Sequence, residues 1–297
     1  MNKVIAYTLS AYIFWGIHPI YWKLLVGVPS VEIVAHRVFW SFVFFAILIS
    51  NRGGWKELSG KITASGNKQI LFFPAILIGA NWFAYVWAVN AGFIVETSLG
   101  YFISPLISVF IGVFFLNEKL RFVQWIAVII AGAGVCAAAF MYGQVPWISL
   151  FLAATWGIYG LMRKKSPLNA VEGLTLETMI LSVPVLIYLL FLFKTGAGSF
   201  MTGTGVSLLL IGGGITSALP LLIFIAGTRR INLSLVGVMQ YIYPTMLFII
   251  GVYVYKEPLN NAKMTGFIFI WFALILYSVE GALFAARKRF MPRSAVE

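Results

Sequence analysis

Ten runs of mostly apolar residues, each close to the ~20 needed to cross a bilayer as a helix, dominate this chain. They fall at roughly 4–24, 33–50, 70–91, 95–116, 122–140, 147–163, 173–193, 205–227, 232–255 and 264–285. With 61% hydrophobic and 10% charged residues, a soluble fold of 297 residues has too little polar surface to cover such runs. The runs are continuous rather than alternating, which predicts helices and not the strands of a barrel. The expected fold is an all-α membrane protein with ten transmembrane helices.

The net charge of +12 raises the question of nucleic acid, and the placement of the charges answers it. With ten spans, sixteen of the basic residues collect on the side of both termini, four (Lys23, Lys194, Lys256, Lys263) on the other, and Arg37 lies inside the second run. The positive-inside rule then puts both termini in the cytoplasm. No nucleic-acid partner is expected; the partners are the lipid bilayer and a small-molecule solute, and homodimerisation is left open. The two histidines show no metal-ligand spacing, there is no phosphate-binding loop, and no cofactor or enzymatic activity is expected. The one cysteine, Cys136, is read as a buried packing residue. The first apolar run is of full span length, so no cleaved leader is expected.

The two halves of the chain echo each other. Pro105, Gly112 and Glu118 recur as Pro244, Gly251 and Glu257, 139 residues later; Trp15-Gly16-Ile17 recurs as Trp156-Gly157-Ile158 and Val31-Glu32 as Val171-Glu172. Each half holds five runs, and five is odd, so the second half enters the membrane inverted. The expected domains are residues 1–141 and 142–286, two inverted five-helix repeats, with 287–297 a basic cytoplasmic tail. Inverted repeats whose helices are interrupted at matching places are the sequence mark of an alternating-access carrier, with the solute at the interruptions.

The candidate site residues follow from that geometry. Pro105 and Pro244 remove a backbone donor near mid-span and free the carbonyls of Tyr101 and Gln240, and Pro19 does the same in the first span. Asn81, Tyr85, Tyr101, Gln240 and Tyr241 supply amide and phenol groups at similar depth for contact with a partly apolar solute; each also has a reading as a simple link between helices. Arg37, costly in a span, and its neighbours His36 and Lys23 form a candidate outer gate or anion contact, with Glu32 and Glu96 as counter-charges. Glu177 and Glu280 are possible coupling carboxylates, or helix-end partners of inner cations such as Arg163, Lys164 and Lys165. Glu118 and Glu257 read as cap or interface residues. The small residues Ala127, Ala131, Gly134 and Ala138 make a packing stripe.

Several segments together resemble the RarD group of EamA-type carriers in the drug/metabolite transporter superfamily. They include Ala35-His36-Arg37, Asn81-Trp82 through Trp87-Ala88-Val89-Asn90, Leu99-Gly100-Tyr101-Phe102, Gly173-Leu174-Thr175-Leu176-Glu177 and Gln240-Tyr241 through Pro244-Thr245. The resemblance implies ten helices in a five-plus-five inverted repeat, residence in a bacterial inner membrane, and transport of an amino acid, metabolite or drug such as an amphenicol. A passive channel or facilitator, and a non-transporting receptor, remain the alternatives.

Overall fold

A computed structural model describes residues 2–116, 120–142, 145–228 and 241–290. Among them the chain is all helical, with no strand. The elements are α1 (Asn2–Gly16), α2 (His18–Lys23), α3 (Ser30–Asn51), α4 (Trp55–Ala64), α5 (Gln69–Asn90), α6 (Ile94–Leu116), α7 (Phe122–Tyr142), α8 (Trp147–Lys165), α9 (Ala170–Thr195), α10 (Thr204–Thr228), α11 (Ile242–Ile249) and α12 (Asn261–Phe290). A π-helical turn, Ile250–Val254, continues α11. Five helices among the described residues are long and apolar enough to cross a membrane: Ser30–Asn51, Gln69–Asn90, Ala170–Thr195, and the segments Thr204–Ile223 and Asn261–Gly281; Phe122–Ala137 and Ile242–Val254 are shorter apolar stretches.

Helix ends follow local chemistry. Before α9 the Asn169 side chain accepts from the Glu172 backbone N–H while the Glu172 carboxylate accepts from Asn169 N–H, a reciprocal capping box. Gly196, at φ 67°, closes the same helix in the left-handed conformation that glycine tolerates best. The first apolar run is interrupted at Ile17, and Pro19 sits in the opening turn of α2, where its missing N–H has no intrahelical partner to lose. The connector after α3 contains helix α4, with Leu58 buried against Ile49, Leu71, Leu168 and Leu176.

α3 packs on both α9 and α10, α1 on α10 and α11, and α5 on α8 and α9. α6 packs on α8 and α11, while α7 and α12 pair with each other at one side. Ala127 and Ala131 are buried on the α7 face that meets α12, and a Cβ on Gly134 would overlap Phe269; the Ala138 side chain lies outside the described residues. Cys136 is exposed, not buried. Two residues beyond Gly134 it has turned about 200° from the small-residue stripe, at 3.6 residues per turn.

Glycine also brings α3 and α10 together. A Cβ on Gly214 would lie 2.6 Å from the Ser41 backbone nitrogen, and the Ser41 hydroxyl donates to the Gly214 carbonyl at 3.2 Å. Backbone cannot yield as a side-chain tip can. Gly214→Ala is expected to destabilise the protein by about 1–3 kcal/mol, the usual cost of overpacking, seen as a lower melting temperature in detergent.

Candidate functional site

Arg37 projects from α3 into the interior and is 6% exposed. Its guanidinium carbon lies 4.2 Å from the ring centre of Trp82 and 5.2 Å from that of Trp22, and such cation–π contacts strengthen once water is removed. The phenols of Tyr101, Tyr85 and Tyr243 surround it closely enough to interact with its charge. The Tyr85 and Tyr101 ring centres are 6.0 Å apart, and those of Tyr101 and Tyr243 4.7 Å. Arg37 Nε and Nη1, the Tyr85 hydroxyl and Trp22 Nε1 are all buried with no hydrogen-bond partner among the described residues. Three of these four groups are N–H donors and the fourth is a hydroxyl, while no carboxylate of the described residues pairs with the guanidinium there. Buried polar groups are ordinarily satisfied, so this concentration of orphaned donors around one charge is the most unusual feature of the molecule.

Five helices bring these groups together: α2 supplies Trp22, α3 Arg37, α5 Trp82 and Tyr85, α6 Tyr101, and α11 Tyr243. Neighbouring polar groups are already engaged. Asn81 Nδ2 donates to the Leu152 carbonyl at 3.1 Å and to Thr155 Oγ1 at 2.9 Å, and Asn81 Oδ1 lies 3.5 Å from the Tyr101 hydroxyl. Asn81 therefore ties α5 to α8 behind the tyrosines. His18 Nε2 bonds the Thr216 carbonyl oxygen at 3.0 Å.

The other candidates are spread over the protein. His36, the next residue on α3, turns toward Phe200, with ring centres 4.8 Å apart, and borders a groove of about 400 Å³ between α3 and α9. Lys23 donates to the Asn90 carbonyl at 3.3 Å and lies 5.4 Å from the Tyr255 ring centre. The counter-charges expected for Arg37 are taken elsewhere: Glu96 pairs with Lys263 at 3.4 Å, and Glu32 accepts from the backbone N–H groups of Ser199 and Phe200 at 2.6 and 3.2 Å. Both acids sit in the first turn of their helices, at the level of the connectors, whereas Arg37 is about two turns into α3. Tyr241 packs on Phe102 among residues of α6, α7 and α12, with ring centres 6.4 Å apart. Pro244 stands in the first turn of α11, and its carbonyl accepts from the Ser98 hydroxyl at 2.7 Å. Gln240, Glu118 and the Pro105 side chain lie outside the described residues. Tyr243 and Trp22 were not singled out from the sequence as site residues. A signal for Tyr243 existed in its place directly before the repeated proline.

The two possible coupling carboxylates are both paired. Glu177 is 1% exposed, 3.4 Å from Arg163 Nη1, and accepts from the Tyr159 hydroxyl at 3.0 Å. Glu280 takes both Nε and Nη2 of Arg121, the latter at 2.6 Å. On the connector, Lys61 reaches Glu172 and Glu57, each at 2.7 Å, and hydrogen bonding to them raises its ammonium above its ordinary pKa range.

The repeated glycine and glutamate have a definite use in the second half. Gly251 packs against Val95, and the Glu257 carboxylate accepts from the N–H groups of Ile94 and Val95, each at 2.8 Å, at the N-terminus of α6. A carboxylate here satisfies two orphan donors and complements the helix dipole. Glu257→Gln retains one acceptor oxygen and is expected to cost about 1–3 kcal/mol, the penalty of a buried donor left unmade, measured as a drop in melting temperature.

The model of the EamA-like transporter family matches residues 2–140 and again 145–279. The chain belongs to the EamA-like transporter family. The relatives of this membrane transporter include the uncharacterized transporter YojE of Bacillus subtilis (strain 168), 45% identical over 93% of this chain and 94% of that protein. Protein RarD of Escherichia coli (strain K12) is 42% identical over 94% of this chain and 95% of its own length, which puts the chain in the RarD group of EamA-type proteins. A protein of Pseudomonas aeruginosa PAO1 named chloramphenicol-sensitive protein RarD is 29% identical over 93% of both chains. One solved crystal structure, 18% identical, superposes with a TM-score of 0.55 over 94% of this chain and 98% of that one, a likeness of fold.

Proposed function

We propose that this family member is a secondary carrier that moves a small organic solute by alternating access, with the solute held at the Arg37–tyrosine cluster. The observation that carries this reading is the buried guanidinium, its Nε and Nη1 without a hydrogen-bond partner among the described residues, among side chains of α2, α3, α5 and α6 from the first half of the chain and α11 from the second. An ionisable residue kept inside a membrane protein without a partner is ordinarily retained for function. In the conformation described, Arg37 is almost wholly enclosed, so a solute reaches it when the helices part, as alternating access requires.

The proposed architecture is ten spans in two inverted repeats, 1–141 and 142–286, with both termini in the cytoplasm of a bacterial cell and the protein in its inner membrane. Two findings support the repeat. The family model matches the chain twice, once in each half. Among the described residues the principal helix pairings also map onto one another when α1, α3, α5, α6 and α7 are exchanged with α8, α9, α10, α11 and α12, although α3 on α5 has no comparable counterpart in α9 on α10. The exchange turns α1 on α10 into α8 on α5, α3 on α10 into α9 on α5, and α1 on α11 into α8 on α6, and it leaves α3 on α9, α6 on α11 and α7 on α12 unchanged. The repeat mates Glu32 and Glu172 fit the same relation: each ties down a connector in the opposite half, Glu32 at Ser199 and Glu172 at Lys61.

The solute belongs among amino acids, metabolites and drugs such as amphenicols. The protein reconstituted in liposomes is expected to show saturable uptake and counterflow, in which unlabelled solute inside accelerates entry of labelled solute. Flux that does not saturate and shows no counterflow marks a passive facilitator; a solute that binds without flux marks a receptor.

A further inference from the structure

We infer that the group this site recognises is a carboxylate on an aromatic or otherwise apolar body: the solute is an organic monoanion. The inference rests on the carrier site proposed above and narrows what it holds. Its ground is the arrangement of unpartnered groups. Arg37 Nε and Nη1 and Trp22 Nε1 can only donate, and all three are buried without a partner among the described residues. A ligand that satisfies them must bring acceptor atoms. A guanidinium presents its N–H groups as a planar fork, and a carboxylate is the acceptor that matches it two-for-two.

Charge counting selects one negative charge. Glu32, Glu96 and Glu257, the acids on neighbouring helix ends, are held by Ser199, Lys263 and the α6 N-terminus. Arg37 thus meets no carboxylate among the described residues, while Lys23 is close enough to Glu257 to interact with its charge and His18 is engaged at Thr216. One unmatched cation pairs with one anion. A phosphate monoester, mostly dianionic near neutral pH, brings a second charge with no second cation to meet it. An ammonium group meets the opposite problem. The aromatic faces that attract cations already carry the guanidinium, so the body of the solute is expected to be uncharged. Trp82, Trp22 and the three tyrosines supply flat apolar surface for it.

The test uses one carbon skeleton with different head groups: 3-phenylpropanoate, 3-phenylpropanamide, 3-phenylpropylamine and phenylalanine, with phenyl phosphate as the phosphate arm and chloramphenicol as a neutral drug. Binding to the purified full chain in detergent is measured by calorimetry and thermal shift. The carboxylate is expected to bind and raise the melting temperature, and the amide and amine to bind at least about 10-fold more weakly, as the loss of a charge-assisted hydrogen bond requires. Arg37→Met is expected to abolish the difference between carboxylate and amide. Tyr85→Phe, which removes only a hydroxyl, is expected to weaken the carboxylate several-fold at unchanged melting temperature. Equal binding of amide and carboxylate, preference for phenyl phosphate, phenylalanine or chloramphenicol, or no carboxylate binding at millimolar concentration overturns the inference. Counterflow of a neutral or cationic solute leaves the carrier reading standing and removes this one; carboxylate binding at Arg37 without flux does the reverse.

Discussion

Arg37→Met is expected to abolish solute flux in liposomes while leaving the melting temperature of the purified protein unchanged or raised. The two halves of that result come from the same geometry. The guanidinium is buried, with Nε and Nη1 unpartnered among the described residues, and the effective desolvation penalty of a buried ion is several kcal/mol. Offsetting it are two cation–π contacts, with Trp82 and Trp22, each worth up to ~2 kcal/mol when desolvated. The sum is near zero, and methionine fills the space with an unbranched apolar chain. Under the proposed function the loss falls on flux, because the charge is the group that the solute would meet. A fall in melting temperature like that of a broken ion pair identifies Arg37 as a structural residue, and normal flux removes it from the site.

Arg163→Met is the matching case with the opposite outcome. Arg163 lies 3.4 Å from Glu177, which is 1% exposed and has the Tyr159 hydroxyl as its other partner. Removing the cation strands a carboxylate in the interior, at a cost of about 3–5 kcal/mol. It also removes the bond from Arg163 to the Asn169 carbonyl at the start of α9. The melting temperature is expected to fall sharply. Glu177→Gln in the same background should recover part of it, since a neutral amide has no unpaired charge to bury. A single variant that melts with the parent protein shows that Glu177 draws its stability from elsewhere. In the proposed inverted repeat Arg37 and Glu177, 140 residues apart, are counterparts, so the comparison also asks whether the two positions have diverged into a ligand site and a structural pair.

Much of this organisation was legible in the sequence because it depends on local pattern. Continuous apolar runs became helices, and the small-residue stripe on α7 became the contact with α12. The repeated Gly251 and Glu257 became the support of the α6 N-terminus, consistent with a cap or interface role. The site was legible in part. Arg37 stood out because charge inside an apolar run is costly. Its surroundings did not, since they depend on which way each side chain turns. Tyr241 and Tyr243 are two residues apart on a helical segment, about 200° around its axis, so one packs on Phe102 and the other on Tyr101. The same limit misassigned Glu32 and Glu96 as counter-charges, because sequence gives their depth along the helix but not the backbone groups that other connectors bring to them. Cys136 failed for a similar reason: an apolar neighbourhood does not say which face meets protein.

The most direct test of alternating access at Arg37 is thiol labelling of Tyr243→Cys in a Cys136→Ala background, with an impermeant reagent applied to either face of oriented vesicles. Tyr243 packs on Tyr101 beside the guanidinium. A carrier that exposes this site to each side in turn predicts labelling from both faces, with 3-phenylpropanoate slowing both. Labelling from one face only, or from neither, contradicts it.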